Sequence, residues 1–129
     1  MFGIIQGGII MFINLSNHVS EKWSKEQLEA AKVYGDIVDI GFPAVDPKGD
    51  SDYIDKLVDE YYSKISKYDK PVVMLQGEFT FTYRMVKKLK DSGITVVASC
   101  SERHSVEVLK KNGQVERNSV FEFVRFREY

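Results

Sequence analysis

The sequence has little of what marks a stapled, secreted or membrane-bound chain. One cysteine, Cys100, stands among 129 residues, which excludes an intramolecular disulfide. No Cys/His grouping has metal-ligand spacing, so neither a metal nor another cofactor is expected. A reducing cytoplasm is the expected compartment. Positive charge is not in excess: 18 Lys and Arg against 19 Asp and Glu leave a formal net charge of −1. That argues against a protein that coats long nucleic acid, and any anionic ligand must be met by local positive charge. No apolar run reaches the roughly 20 residues of a membrane span. The start, "MFGIIQGGIIMFINLS", is interrupted by Asn14 and lacks a basic leader and a cleavage site. Met11 offers a second start, and residues 1–10 read as an upstream extension, an added strand or a tail. Internal repeats, low-complexity blocks and a full glycine-rich phosphate fingerprint are also missing.

What is present is ordinary globular material. Hydrophobic residues make up 43% and charged residues 29%, enough for one real core, so residues 1–129 read as a single domain. The chain alternates strand and helix. "MFINLS" (11–16) is a short apolar strand. Ser24, with Gln27 three residues on, opens a helix in the manner of a capping box, and Gly35 closes it. "DIVDIGF" (36–42) is a second strand, and "PAVDPKGDSD" (43–52) is a loop. Between Ser51 and Tyr68 the positions Ile54, Leu57, Val58, Tyr61, Tyr62 and Ile65 follow helical spacing. "KPVVMLQG" (70–77) is a third strand, residues 79–93 a helix ending at Gly93, and "ITVVAS" (94–99) a fourth strand. Beyond it, the Asn112-Gly113 pair signals a hairpin, although "SVEVLKK" also fits one helical turn. Repeated βα units with continuous apolar strands predict an α/β fold: a small Rossmann-like, mostly parallel sheet with flanking helices and a C-terminal antiparallel hairpin.

In such a sheet, ligands bind beyond the carboxyl ends of the strands. Three polar segments are expected there: Ser16-Asn17-His18; Gln76-Gly77-Glu78 with Thr80 and Thr82; and Ser99-Cys100-Ser101-Glu102-Arg103. His18 suits acid, base or phosphate-donor work, although a solvated loop histidine is the plainer reading. Ser16 and Asn17 also suit a turn, and Gly77 permits close backbone approach or simply a strand-to-helix turn. Glu78 complements a helix dipole. Thr80 and Thr82 make a poor helix start by propensity, and hydroxyls at a helix N-terminus suit phosphate; packing of Phe79 and Phe81 is the alternative. Arg103 suits a phosphate or a developing phosphorane charge, against a salt bridge to Glu102 or Glu78. Cys100 has no adjacent base and reads as a small lining residue. Trp23 and Tyr83 suit base stacking or packing. The alternating charges and aromatics of the tail read as an edge strand or a dimer seam.

Three stretches, "FINLSNH", "QGEFTFTYRMVKKLKDSGITVVASCSER" and "NGQV…FVRFREY", together resemble the small accessory proteins of type III CRISPR systems. These have the CARF-like (CRISPR-associated Rossmann fold) architecture, and some are ring nucleases. The resemblance covers most of residues 11–129. It implies a homodimer that binds a cyclic oligoadenylate, tetra-adenylate first among them, across its two-fold axis. It further implies metal-independent cleavage by attack of a ribose 2′-hydroxyl on the neighbouring phosphate. His18, Arg103 and Ser16 are then the expected catalytic groups. Asn17, Gln76, Gly77, Glu78, Thr80, Thr82, Ser99, Ser101 and Glu102 are the expected ligand contacts. The alternatives are a non-catalytic binder of the same messenger, acting as sensor or sink, and a nucleotide-binding or interaction domain outside CRISPR biology.

Overall fold

Apolar residues at successive strand positions face opposite ways, and the sheet sorts them into two cores. A computed structural model describes residues 10–129; nine of the ten residues read as an upstream extension therefore lie outside the described residues. The elements run β1 (Met11–Ser16), a 3₁₀ turn (Ser20–Lys22), α1 (Lys25–Lys32), β2 (Asp36–Gly41), α2 (Ser51–Ile65), β3 (Val72–Leu75), α3 (Phe79–Asp91), β4 (Thr95–Leu109) and β5 (Val115–Glu128). The five strands of the described residues form one sheet in the order β2-β1-β3-β4-β5. All neighbours are parallel except β4 and β5, which are antiparallel. The expected fold is thus the observed one.

Ile13 and Leu15 of β1, Val73 and Leu75 of β3, and Val96 of β4 pack under α2 and α3 against Ile54, Val58, Phe81, Met85 and Leu89. The alternate positions Phe12, Met74 and Val97 pack on the other face with Ala31 of α1 and with Phe126. This two-sided burial is why the parallel strands read as continuous apolar runs. Each large aliphatic side chain so buried contributes roughly 1.5–3 kcal/mol.

Local chemistry fixes the helix starts. The Gln27 N–H donates to Ser24 Oγ at 3.2 Å, as the capping pattern predicts, and the Tyr53 N–H donates to Asp50 Oδ1 at 2.9 Å. Gly35 has φ +144° and lies against the Ile10 carbonyl, where a Cβ has no room. No helix among the described residues is long and apolar enough to cross a membrane.

One expectation fails in an instructive way. The fourth strand does not end at Ser99; it runs through Cys100, Ser101, Glu102 and Arg103 to Leu109, paired along its length with β5. Beyond Ser101 the pair leaves the body of the sheet as a two-stranded arm, closed at its tip by the Asn112-Gly113 turn with Gly113 at φ +84°. The arm carries charges on a strand with no helix over it, and that polarity imitates a strand terminus. A register shift between Cys100 and Ser101 marks where the arm begins, and such a bulge bends and twists the strand that carries it.

Candidate functional site

The strand order reverses between β1 and β3: the connection from β1 leads to β2 on one side, and that from β3 leads to β4 on the other. The crevice beyond the carboxyl ends of β1 and β3 is therefore where this topology leaves room for a ligand. A cavity of about 900 Å³ lies there, within the range of small-ligand sites. Ser16, Asn17 and His18 border it from β1, and Gln76 and Gly77 from β3. Lys22, Trp23, Glu26 and Gln27 close one side, and the arm closes another with Ser99, Ser101, His104, Val106, Val120, Phe121, Glu122 and Phe123.

Its floor is a polar network inside the α1-side core. Asn14, 1% exposed, follows Phe12 by strand alternation and so points into apolar surroundings. Its amide donates to His18 O and to Asp39 Oδ1, both at 2.8 Å. Ser16 Oγ donates to Asn14 Oδ1 at 2.7 Å. Asp39 in turn accepts from the Ser20 N–H at 3.2 Å and the Ser20 hydroxyl at 2.9 Å. Trp23 Nε1 also donates to His18 O, at 3.2 Å. The loop from Asn17 to Ser20 is thereby tied at the His18 carbonyl and at the Ser20 N–H and hydroxyl, which leaves the exposed side chains of Asn17 and His18 as the rim.

Gln76 joins β3 to the fourth strand. Its Oε1 accepts from the Ser99 N–H at 2.6 Å, so its amide nitrogen is the group left to meet a ligand. Trp23, Phe123 and Phe126 pack around Phe12, which gives the cavity an aromatic side next to its polar floor.

Seven of the expected site residues thus meet at one cavity: Ser16, Asn17, His18, Gln76, Gly77, Ser99 and Ser101. The others do not join them. Glu78 caps α3, accepting from the Phe81 N–H at 2.7 Å and from the Thr80 hydroxyl at 2.8 Å. The Phe81 N–H bond, and the Thr80 bonds after it, hold its carboxyl below the ordinary glutamate range. Glu78 and Thr80 border a separate cleft with Asp50 and Arg84. That capping also explains "FTFT" as a helix start: Thr80 serves the cap and Phe81 is fully buried. Thr82 Oγ1 is buried without a hydrogen-bond partner among the described residues. Gly77 borders the cavity, yet the place a Cβ would take belongs to the Phe42 ring; its smallness serves packing. Arg103 donates from Nε and a terminal nitrogen to Ser119 Oγ, at 3.1 and 2.9 Å, across the arm. Neither a ligand space nor Glu102 or Glu78 engages it, because strand pairing and not a loop positions it. Glu102 sits opposite Glu122 on the arm. Cys100 is a half-buried free thiol.

Residues 10–127 match the family described as "Uncharacterized protein MJ1673 family". The chain belongs to this family. The match spans the βα units and the whole arm, so the cavity and its outer wall fall inside it. Comparison with curated proteins returned no match. Lys22, Ser24, Glu26, Gln27, His104 and Glu122 are the polar lining residues that sequence reasoning passed over as site residues. Lys22 follows the first strand by only a few residues and was within reach of the strand-end argument, whereas Ser24, Glu26 and Gln27 belong to the start of α1. His104 and Glu122 join them only through the hairpin pairing.

Proposed function

We propose that this chain binds a nucleotide messenger of the cyclic oligoadenylate type, tetra-adenylate foremost, in the cavity between β1, β3 and the arm. The observation that carries the reading is the convergence at a strand-order reversal of hydroxyl, amide and imidazole groups with an aromatic side. The hydroxyls, amides and His18 offer hydrogen bonds to phosphate and ribose, Trp23, Phe121 and Phe123 offer faces to bases, and Lys22 offers the local positive charge. The exposed edge of β5 supports a two-fold dimer as the form that meets a cyclic ligand, and a single unpaired cysteine suits the cytoplasm.

In the cleaving form of this reading, a ribose 2′-oxygen attacks the adjacent phosphorus and the P–O5′ bond breaks. A 2′,3′-cyclic phosphate and a 5′-hydroxyl result. His18 takes the 2′-hydroxyl proton, water supplies one to the leaving oxygen, and the neighbouring amides and Lys22 hold the phosphate in line.

A specific observation favours a second form, binding without turnover. Arg103 is engaged on the arm, and Glu26 and Glu122 accompany Lys22 in the lining, so the cavity is poor in cations to stabilise a phosphorane. Incubation with cyclic tetra-adenylate in EDTA decides between the two. A linear product ending in a 2′,3′-cyclic phosphate supports cleavage, and a thermal shift with the ring intact supports the sink or sensor. No shift with any cyclic oligoadenylate removes both and leaves a nucleotide or interaction domain of another kind.

A further inference from the structure

The pairing of β4 with β5 sets Glu102 directly opposite Glu122, and His104 follows two positions along β4 on the same face. Like charges directly opposite across an antiparallel pair are destabilising, so this placement asks for a cation. His104 Nε2 stands 3.3 Å from Glu122 Oε1 and 3.5 Å from Glu102 Oε2. One ligand atom from each of the three lies within 4.8 Å of the other two. Donor atoms held at about 2.1 Å from a tetrahedral zinc ion stand roughly 3.4 Å from one another. Two of the three edges of a metal-binding face are therefore already at their bound length, and rotation of an exposed glutamate closes the third.

We propose that Glu102, His104 and Glu122 bind a first-row divalent cation on the arm. One imidazole nitrogen with two carboxylates suits Zn²⁺ or Mn²⁺ better than Ca²⁺ or Mg²⁺, which take all-oxygen sets. All three side chains are exposed, so the remaining coordination positions are open to water. His104 and Glu122 also line the cavity, which puts the cation on its outer wall, where its charge offsets that of the two repelling carboxylates. The site stands on these three side chains alone and does not rest on the messenger reading.

The test is calorimetric titration of the full chain, stripped of metal, with ZnCl₂ at neutral pH, alongside the absorption spectrum with Co²⁺. One equivalent binds, and His104→Ala, Glu102→Gln and Glu122→Gln each weaken it by about 10-fold or more, since even loss of a partner that only supports a ligand typically costs that much. Cys100→Ser leaves the affinity unchanged, and the Co²⁺ spectrum carries no thiolate charge-transfer band. The two glutamines keep the size and pairing of the glutamates, so a folding defect in the His104 variant does not blur the outcome. Affinity unchanged in His104→Ala and Glu122→Gln overturns the proposal, as does affinity lost in Cys100→Ser. Absence of saturable binding also overturns it.

Discussion

Asn14 on β1 and Asp39, its partner on β2, share a hydrogen bond of 2.8 Å, and the same amide reaches the His18 carbonyl at the same distance. One buried side chain thus ties an edge strand to the loop that carries the rim of the cavity. Removing it leaves the Ser16 hydroxyl and the Asp39 carboxylate with fewer partners. Asn14→Ala is expected to cost about 1–3 kcal/mol in urea unfolding, the range for orphaned buried polar groups. Faster amide exchange at Ser20 than in the parent checks that the loss is felt in the loop.

Glu78 links stability to pH. Its folded pKa is lowered, first by the Phe81 N–H and then by Thr80, so its contribution is fully present above the ordinary glutamate range. It is lost as pH falls through the lowered folded value. Glu78→Ala is expected to cost about 0.5–2 kcal/mol at neutral pH, as for other lost caps. The gap between parent and variant melting temperatures narrows below the ordinary glutamate range; a gap that stays constant down to acid pH would refute the assignment.

Gly77→Ala drives a methyl into the Phe42 ring, which packs edge-on against the buried Phe81. Overpacking of this kind costs typically about 1–3 kcal/mol, read as a fall in melting temperature. Shortening the ring with Phe42→Leu in the same chain is expected to restore part of that loss.

Under the proposed messenger reading, Arg103 lies outside the binding surface. Because its guanidinium bonds Ser119 across the arm, Arg103→Ala is expected to leave the affinity for cyclic tetra-adenylate within a factor of about two, well under 1 kcal/mol. Trp23→Ala, which strips an aromatic face from the lining, is expected to weaken binding by roughly 1–3 kcal/mol. Fluorescence titration measures both, and a larger loss at Arg103 than at Trp23 would place Arg103 in the binding surface.

The parts legible in the sequence are those set by short-range chemistry. Ser24 with Gln27 marks a helix start because a cap bonds three residues on, and Asn112-Gly113 marks the turn because the conformation is local. The strand ends Ser16-Asn17-His18 and Gln76-Gly77 meet as the parallel topology requires. The illegible parts depend on distant partners. Gly77 is small because of Phe42, Glu102 and His104 form a group only once Glu122 is paired across the turn, and Arg103 looks free until Ser119 is beside it. The exposed continuation of β4 was hidden for a related reason. A strand without a core on either face carries the composition of a loop.

The arm has one more consequence, for the order in which the molecule comes apart. Past Ser101 its residues are exposed on both faces apart from the half-buried Phe123, so paired backbone groups and the turn hold it, with little core beneath. Local opening starts where buried apolar contacts are few, and here that place is also the outer wall of the cavity. Fraying from the tip inward would widen the mouth before any of the parallel strands loosened. Admission and release of a bulky guest would then cost only the partial unzipping of one hairpin.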